Sequence, residues 1–187
     1  MTEADPRADQ RWQTRDILVV AVIAVAFGVF FWAFGLVWAW LGFLGPAQSV
    51  LYAGWLLPAI VAPLLVRKPG AAVFAELVAA FVSMFLGSQW AVDTLASGLL
   101  QGGAAELAFV ATRYRRYDLP VVVVASLAAT AAAFVHDWVV YYRDYAPEAL
   151  LAIAVAMGIS GAIVLPPAAM AIERAVRRSG ALPEGLP

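Results

Sequence analysis

The chain has 187 residues, 64% of them hydrophobic and 13% charged, whereas soluble domains run nearer half apolar and a quarter charged. This is the composition of an integral membrane protein, at a length that suits one helical bundle. The formal net charge of −1 supplies no basic face for nucleic acid. The lack of cysteine excludes disulfides and thiolate metal sites and leaves the redox compartment open.

Residues 1–16 read as a polar cytoplasmic tail. The apolar run behind it is about 24 residues long, beyond the roughly 7–15 of a secretory signal, and no small-x-small cleavage site follows, so it is read as a retained span. A span needs about 20 largely apolar residues. Six segments approach that: 17–40, 50–66, 71–87, 91–112, 120–142 and 148–176. Gly45-Pro46, Lys68-Pro69-Gly70, Gly87-Ser88, Asp118-Leu119-Pro120 and Tyr145-Ala146-Pro147 punctuate them as turns. The expectation is an all-α bundle of six transmembrane helices over residues 17–176, with a second cytoplasmic tail at 177–187.

Basic residues set the orientation, because cytoplasmic loops are enriched in Lys and Arg. Arg7, Arg11, Arg15, Arg67, Lys68, Arg113, Arg115, Arg116, Arg174, Arg177 and Arg178 fall on one side of six alternating spans, and only Arg143 on the other. Both termini are therefore expected in the cytoplasm. The outer third then collects Trp38, Trp40, Gln48, Tyr52, Trp55, Ser88, Gln89, Trp90, Asp93, Thr94, His136, Asp137, Trp138, Tyr141 and Tyr142. Tryptophan and tyrosine also form interfacial belts, so belt and pocket wall both remain open for each aromatic.

In the fourth span Asp93, Ser97 and Gln101 follow at i, i+4 and i+8, one stripe on one face. Gly98 and Gly102 beside them have a spacing that admits a close neighbour helix. Glu76 and Glu106 lie deeper, on antiparallel neighbours, and three roles stay open for them. They could pair structurally, share a proton, or reach a ligand. Asp137 and Tyr141 share a face. His136 points about 100° from Asp137 on a helix, so the two are expected to address different atoms. One histidine without cysteines is a poor metal set, and no metal or other cofactor is expected. Gly158-Ile159-Ser160-Gly161 carries the GxSG pattern of rhomboid-type proteases. However, His136 precedes the serine and lies about 9 Å shallower, too far for a nucleophile–base hydrogen bond. No P-loop occurs. Ala21, Ala24 and Gly28 form a small-residue seam on the first span that lets another helix approach, in the bundle or in a partner. Carboxylates among aromatic faces suit a flat, cationic or amine-bearing ring.

Arg67-Lys68-Pro69-Gly70-Ala71-Ala72, Ala75-Glu76-Leu77, Leu86-Gly87-Ser88-Gln89-Trp90, Gln101-Gly102-Gly103-Ala104-Ala105-Glu106-Leu107 and His136-Asp137-Trp138 resemble, in order, segments of the YkoE family. These are substrate-binding S components of energy-coupling factor (ECF) transporters. The resemblance implies a multi-pass protein of a prokaryotic cell membrane and no enzyme. It implies uptake of thiamine or its hydroxymethylpyrimidine precursor, with one transmembrane coupling protein and two ATP-binding subunits as partners. In the implied mechanism the S component topples in the membrane, and Ala21, Ala24 and Gly28 face the coupling protein. The expected substrate-binding set is Trp40, Gln48, Tyr52, Trp55, Glu76, Gln89, Trp90, Asp93, Gln101, Glu106, His136, Asp137, Trp138 and Tyr141. The alternative is a proton-coupled secondary transporter of a small cation that uses Glu76 and Glu106.

Overall fold

A computed structural model describes residues 10–182. Arg7 and the outer parts of both expected tails, residues 1–9 and 183–187, lie outside the described residues. The described chain is helical with no strand. Helix α1 (Thr14–Trp40) leads through a 3-10 stretch (Leu41–Tyr52) into α2 (Ala53–Val66). Then come α3 (Ala71–Phe85), α4 (Asp93–Ala111) and α5 (Leu119–Val140). A last rod consists of α6 (Pro147–Ile159), a π-helical turn (Ser160–Val164) and α7 (Leu165–Arg178). These are six rods, within a few residues of the six segments expected. The stretches Thr14–Val66, Leu119–Val140 and Pro147–Arg178 are long and apolar enough to cross a membrane. The rods α3 and α4 carry buried polar positions, Glu76 and Ser83 on α3 and Gln101 and Glu106 on α4.

Local chemistry sets the breaks. Gly45 takes φ 55°, ψ −138°, and Pro46 follows it, so the chain after α1 cannot continue as a regular helix. Arg67 closes α2 in the left-handed region at φ 52°. Pro166 and Pro167 lack N–H donors, and the turn before them widens to π geometry, a common local adjustment in a helix.

Helix α2 is the axis of the bundle. Leu56, Ala59, Ile60, Val61, Ala62, Leu65 and Val66 are fully buried, as expected of a helix apolar all round. It packs against α1, α3, α4, α5 and α7. Its first backbone N–H, on Ala53, donates to Ser160 Oγ at 2.6 Å. That bond holds Ser160 inside the bundle as a structural acceptor and removes the protease reading.

Small residues bring the outer helices together. A Cβ on Gly28 would lie 2.5 Å from Val82 Cβ and 2.8 Å from the Ala79 carbonyl, and Ala24 is fully buried. The seam expected to face a partner is therefore filled inside the bundle by α3, and only half-buried Ala21 keeps an outward edge. A Cβ on Gly102 would meet Val73 Cα and Glu76 Cβ at 3.0 Å, so α3 and α4 touch through the glycine pair on α4.

One end of the bundle is tied shut by polar contacts. Trp12 Nε1 donates to the Pro69 carbonyl at 2.9 Å, and Lys68 lies 3.8 Å from the buried Asp16 carboxylate. Arg177 donates to the Leu64 carbonyl at the C-terminal end of α2 (2.9 Å), where a cation complements the helix dipole. Arg67 sits 5.4 Å over the Tyr117 ring. Burial, with Glu106 nearby, pushes the Tyr117 phenol up, against the opposing effect of Arg67.

Candidate functional site

The other end of the bundle contains a cavity of about 370 Å³. Its aromatic wall comes from α1, α2 and the α3–α4 turn. Trp55 packs edge-on to Phe31 (5.3 Å) and Trp90 (5.1 Å), and Trp38 packs edge-on to Tyr52 at 5.8 Å. Its polar wall is the stripe Asp93, Ser97 and Gln101 of α4, with Asp137 and Tyr141 opposite. Glu76 lines the same cavity deeper down.

The polar groups form one network. Tyr52 donates to Asp137 Oδ2 at 2.7 Å. Gln101 Nε2 donates to Ser97 Oγ at 2.5 Å and reaches the Tyr52 hydroxyl at 3.5 Å. Tyr141 donates to Asp93 Oδ2. His136 sits between the two aspartates, with Nδ1 3.0 Å from Asp137 Oδ1 and Nε2 3.2 Å from Asp93 Oδ1. Beyond their mutual contact His136 and Asp137 address different atoms, His136 reaching Asp93 and Asp137 accepting from Tyr52. The side chains curl toward each other, because a buried imidazole beside a carboxylate gains more from the contact than from pointing into apolar surroundings.

Glu76 is 1% exposed, and its Oε2 accepts the Ala59 N–H at 3.0 Å. Tyr52 and Ala59 are seven positions apart, so Glu76 lies about 10 Å below the Tyr52–Asp137 pair at 1.5 Å per residue. The cavity therefore carries carboxyl groups at two levels and aromatic faces along its wall. It has no cation along its lining. Aromatic faces and carboxyl groups in one space are the chemical complement of a flat ring bearing positive charge or amine donors.

Of the fourteen residues expected to bind substrate, ten line this cavity: Gln48, Tyr52, Trp55, Glu76, Gln89, Trp90, Asp93, Gln101, Asp137 and Tyr141. His136 stands behind them, bonded to both aspartates. Three lie elsewhere. Trp40 is 73% exposed and packs on Phe43, while Trp138 is exposed on the outer face of α5. Glu106 accepts the backbone N–H groups of Gly70 (2.6 Å) and Ala72 (2.9 Å). It caps α3, whose own N-cap is a glycine without a side chain, with both carboxylate oxygens taken by those amides. Trp38, Thr94 and Tyr142, placed in the outer third but not in the expected binding set, also line the cavity, and Phe31 does so without having been expected there. The i, i+7 spacing of Phe31 and Trp38 on α1 was the available signal.

Three comparisons with known proteins agree in kind. Residues 15–132 match the family described as ABC-type cobalt transport system, permease component. Among the described residues no group of three or more His, Cys, Asp or Glu is placed to hold a metal ion. A protein of Bacillus subtilis (strain 168), provisionally named HMP/thiamine permease protein YkoE, is 35% identical over 176 residues, covering 91% of this chain and 87% of its own. A crystal structure of an S component of an ECF transporter superposes with a TM-score of 0.87 at 31% identity, covering 92% of this chain and 89% of that one.

Proposed function

The chain belongs to the YkoE family of ECF transporter S components, and from that premise we propose that it captures thiamine or its hydroxymethylpyrimidine precursor at the cavity lined by aromatic and carboxyl groups. It is a membrane-embedded subunit of a transporter and not an enzyme. The observation that carries the ligand reading is the vertical spacing of carboxylates within one cavity. Asp93 and Asp137 sit at the upper level and Glu76 about 10 Å lower, with the packed Trp55 and Trp90 rings on the same cavity wall. A permanently charged ring suits the upper pair through ion pairing and cation–π contact. An aminopyrimidine edge suits a buried carboxylate through charge-assisted hydrogen bonds.

In the arrangement we favour, six spans place both termini in the cytoplasm and the cavity opens outward. A coupling protein and two ATP-binding subunits supply the energy, and the loaded S component topples against the coupling protein to release its cargo inward. A proton relay through Glu76 and Glu106 is less consistent with the geometry, since each carboxylate serves a different set of backbone amides.

Trp38, Trp55 and Trp90 beside the ligand space provide the test. Thiamine added to the purified, folded protein should quench tryptophan fluorescence saturably at micromolar concentration or below. A flat response to both thiamine and hydroxymethylpyrimidine would remove this reading.

A further inference from the structure

His136 lies outside the cavity lining yet contacts both upper carboxylates, 3.0 Å to Asp137 and 3.2 Å to Asp93. A neutral imidazole has one N–H and one lone pair. Either neutral tautomer would therefore turn a lone pair onto a carboxylate oxygen inside a largely buried cluster, where His136 is 8% and Asp137 6% exposed. The contacts are complete only when the three groups together hold one proton more than a neutral imidazole and two carboxylates. That proton belongs to the cluster as a whole.

The remaining neighbours do not supply it. Tyr52 donates to Asp137 from the head of α2. Tyr141, beyond the end of α5, donates to Asp93 and lies edge-on to the imidazole at 6.2 Å. Each hydroxyl satisfies one further carboxylate oxygen without adding charge. Tyr142 lines the cavity beside them. Arg143, Asp144 and Glu148 on the α5–α6 turn and the start of α6 are exposed, and Arg143 donates to the Val139 carbonyl. Ser160 in the π turn is neutral. No lysine or arginine among the described residues contacts either aspartate by ion pair.

We propose that this proton is an internal countercation that a positively charged ligand displaces: His136 couples ligand capture to proton release. The inference rests on the proposed cationic ligand. One positive charge enters against Asp93 and Asp137, and one proton leaves the cluster for bulk water, so the charge of the site is conserved. Low pH holds the proton in place and opposes the ligand. Raising the pH empties the cluster and favours binding.

The test is calorimetric titration of thiamine into the purified full chain over about pH 6.5 to 8.5, in phosphate and in Tris, whose ionisation heats differ. The expected result is a buffer-dependent heat equivalent to as much as one proton released. Kd should fall with rising pH by as much as about tenfold per unit. His136→Gln should bind with no buffer dependence and a flat pH profile. Should that variant not purify folded, Asp93→Asn replaces it: with one carboxylate gone, the released proton count falls. Wild-type binding with equal heats in both buffers and a flat profile overturns the proposal while leaving the thiamine reading intact. Unchanged proton release in either variant overturns the assignment to His136. Absence of any saturable heat overturns the ligand reading and this inference with it.

Discussion

Tyr52 joins the two polar systems of the cavity, donating to Asp137 and lying within reach of Gln101 Nε2. Tyr52→Phe keeps the ring against Trp38 but leaves Asp137 Oδ2 without its donor. It should weaken thiamine binding about 10- to 150-fold, the worth of one buried hydrogen bond to a charged group at roughly 1.5–3 kcal/mol. The quench amplitude should stay near wild type because Trp55 and Trp90 remain. A titration showing unchanged affinity would mean that Asp137 is held by His136 alone. Much of this site was legible residue by residue. Asp93, Ser97 and Gln101 repeat at four, and a repeat at four is one face of a helix whatever surrounds it. The aromatics were not legible in the same way. Trp38 and Trp40 are two positions apart, about 200° around α1, and only the packing of α2 decides which of them turns inward. Glu106 looked like Glu76 because each is a lone carboxylate in an apolar helix. The difference between them lies on another element, where α3 begins at a glycine and borrows its cap.

At the scale of the element, the contact of α1 with α3 depends on Gly28. A side chain there would collide with Val82 and with the Ala79 carbonyl, which is backbone and cannot turn aside. Gly28→Leu should therefore destabilise the bundle by at least about 1–3 kcal/mol, the range for overpacking. It should appear as a lower apparent melting temperature in detergent, with Ala21→Leu much milder because Ala21 is only half-buried. Equal shifts for the two would argue that α3 does not occupy the seam. The helices themselves were readable from apolar length and from Gly-Pro punctuation. What the seam packs against was not, because small-residue spacing reports that a backbone can come close without saying whose backbone it is. The π turn was hidden for a related reason. Pro166-Pro167 announces a missing donor pair, but how the helix absorbs the loss depends on Ser160 being held at Ala53.

The whole molecule is asymmetric from end to end. At the basic end the start of α1, the α2–α3 turn, α4 and the end of α7 are fastened through Trp12, Asp16, Glu106 and Arg177. At the opposite end Asp93 and Tyr141 keep partial exposure beside the cavity, so a ligand has one side from which to arrive. If the basic end is cytoplasmic, as the positive-inside bias requires, that side is the exterior. The chain has no cysteine, so a single introduced thiol reports the side directly. Asp144→Cys, on the exposed turn after α5, should react with a membrane-impermeant maleimide on intact cells. Arg115→Cys, on the exposed α4–α5 turn, should react only after permeabilisation. Neither position touches the cavity lining, so both variants should still bind thiamine, which guards against labelling of misfolded chain. The reverse labelling pattern in binding-competent protein would invert the molecule in the membrane and make the cavity a cytoplasmic one. An uptake role would then fail on geometry alone, however well the site bound its ligand.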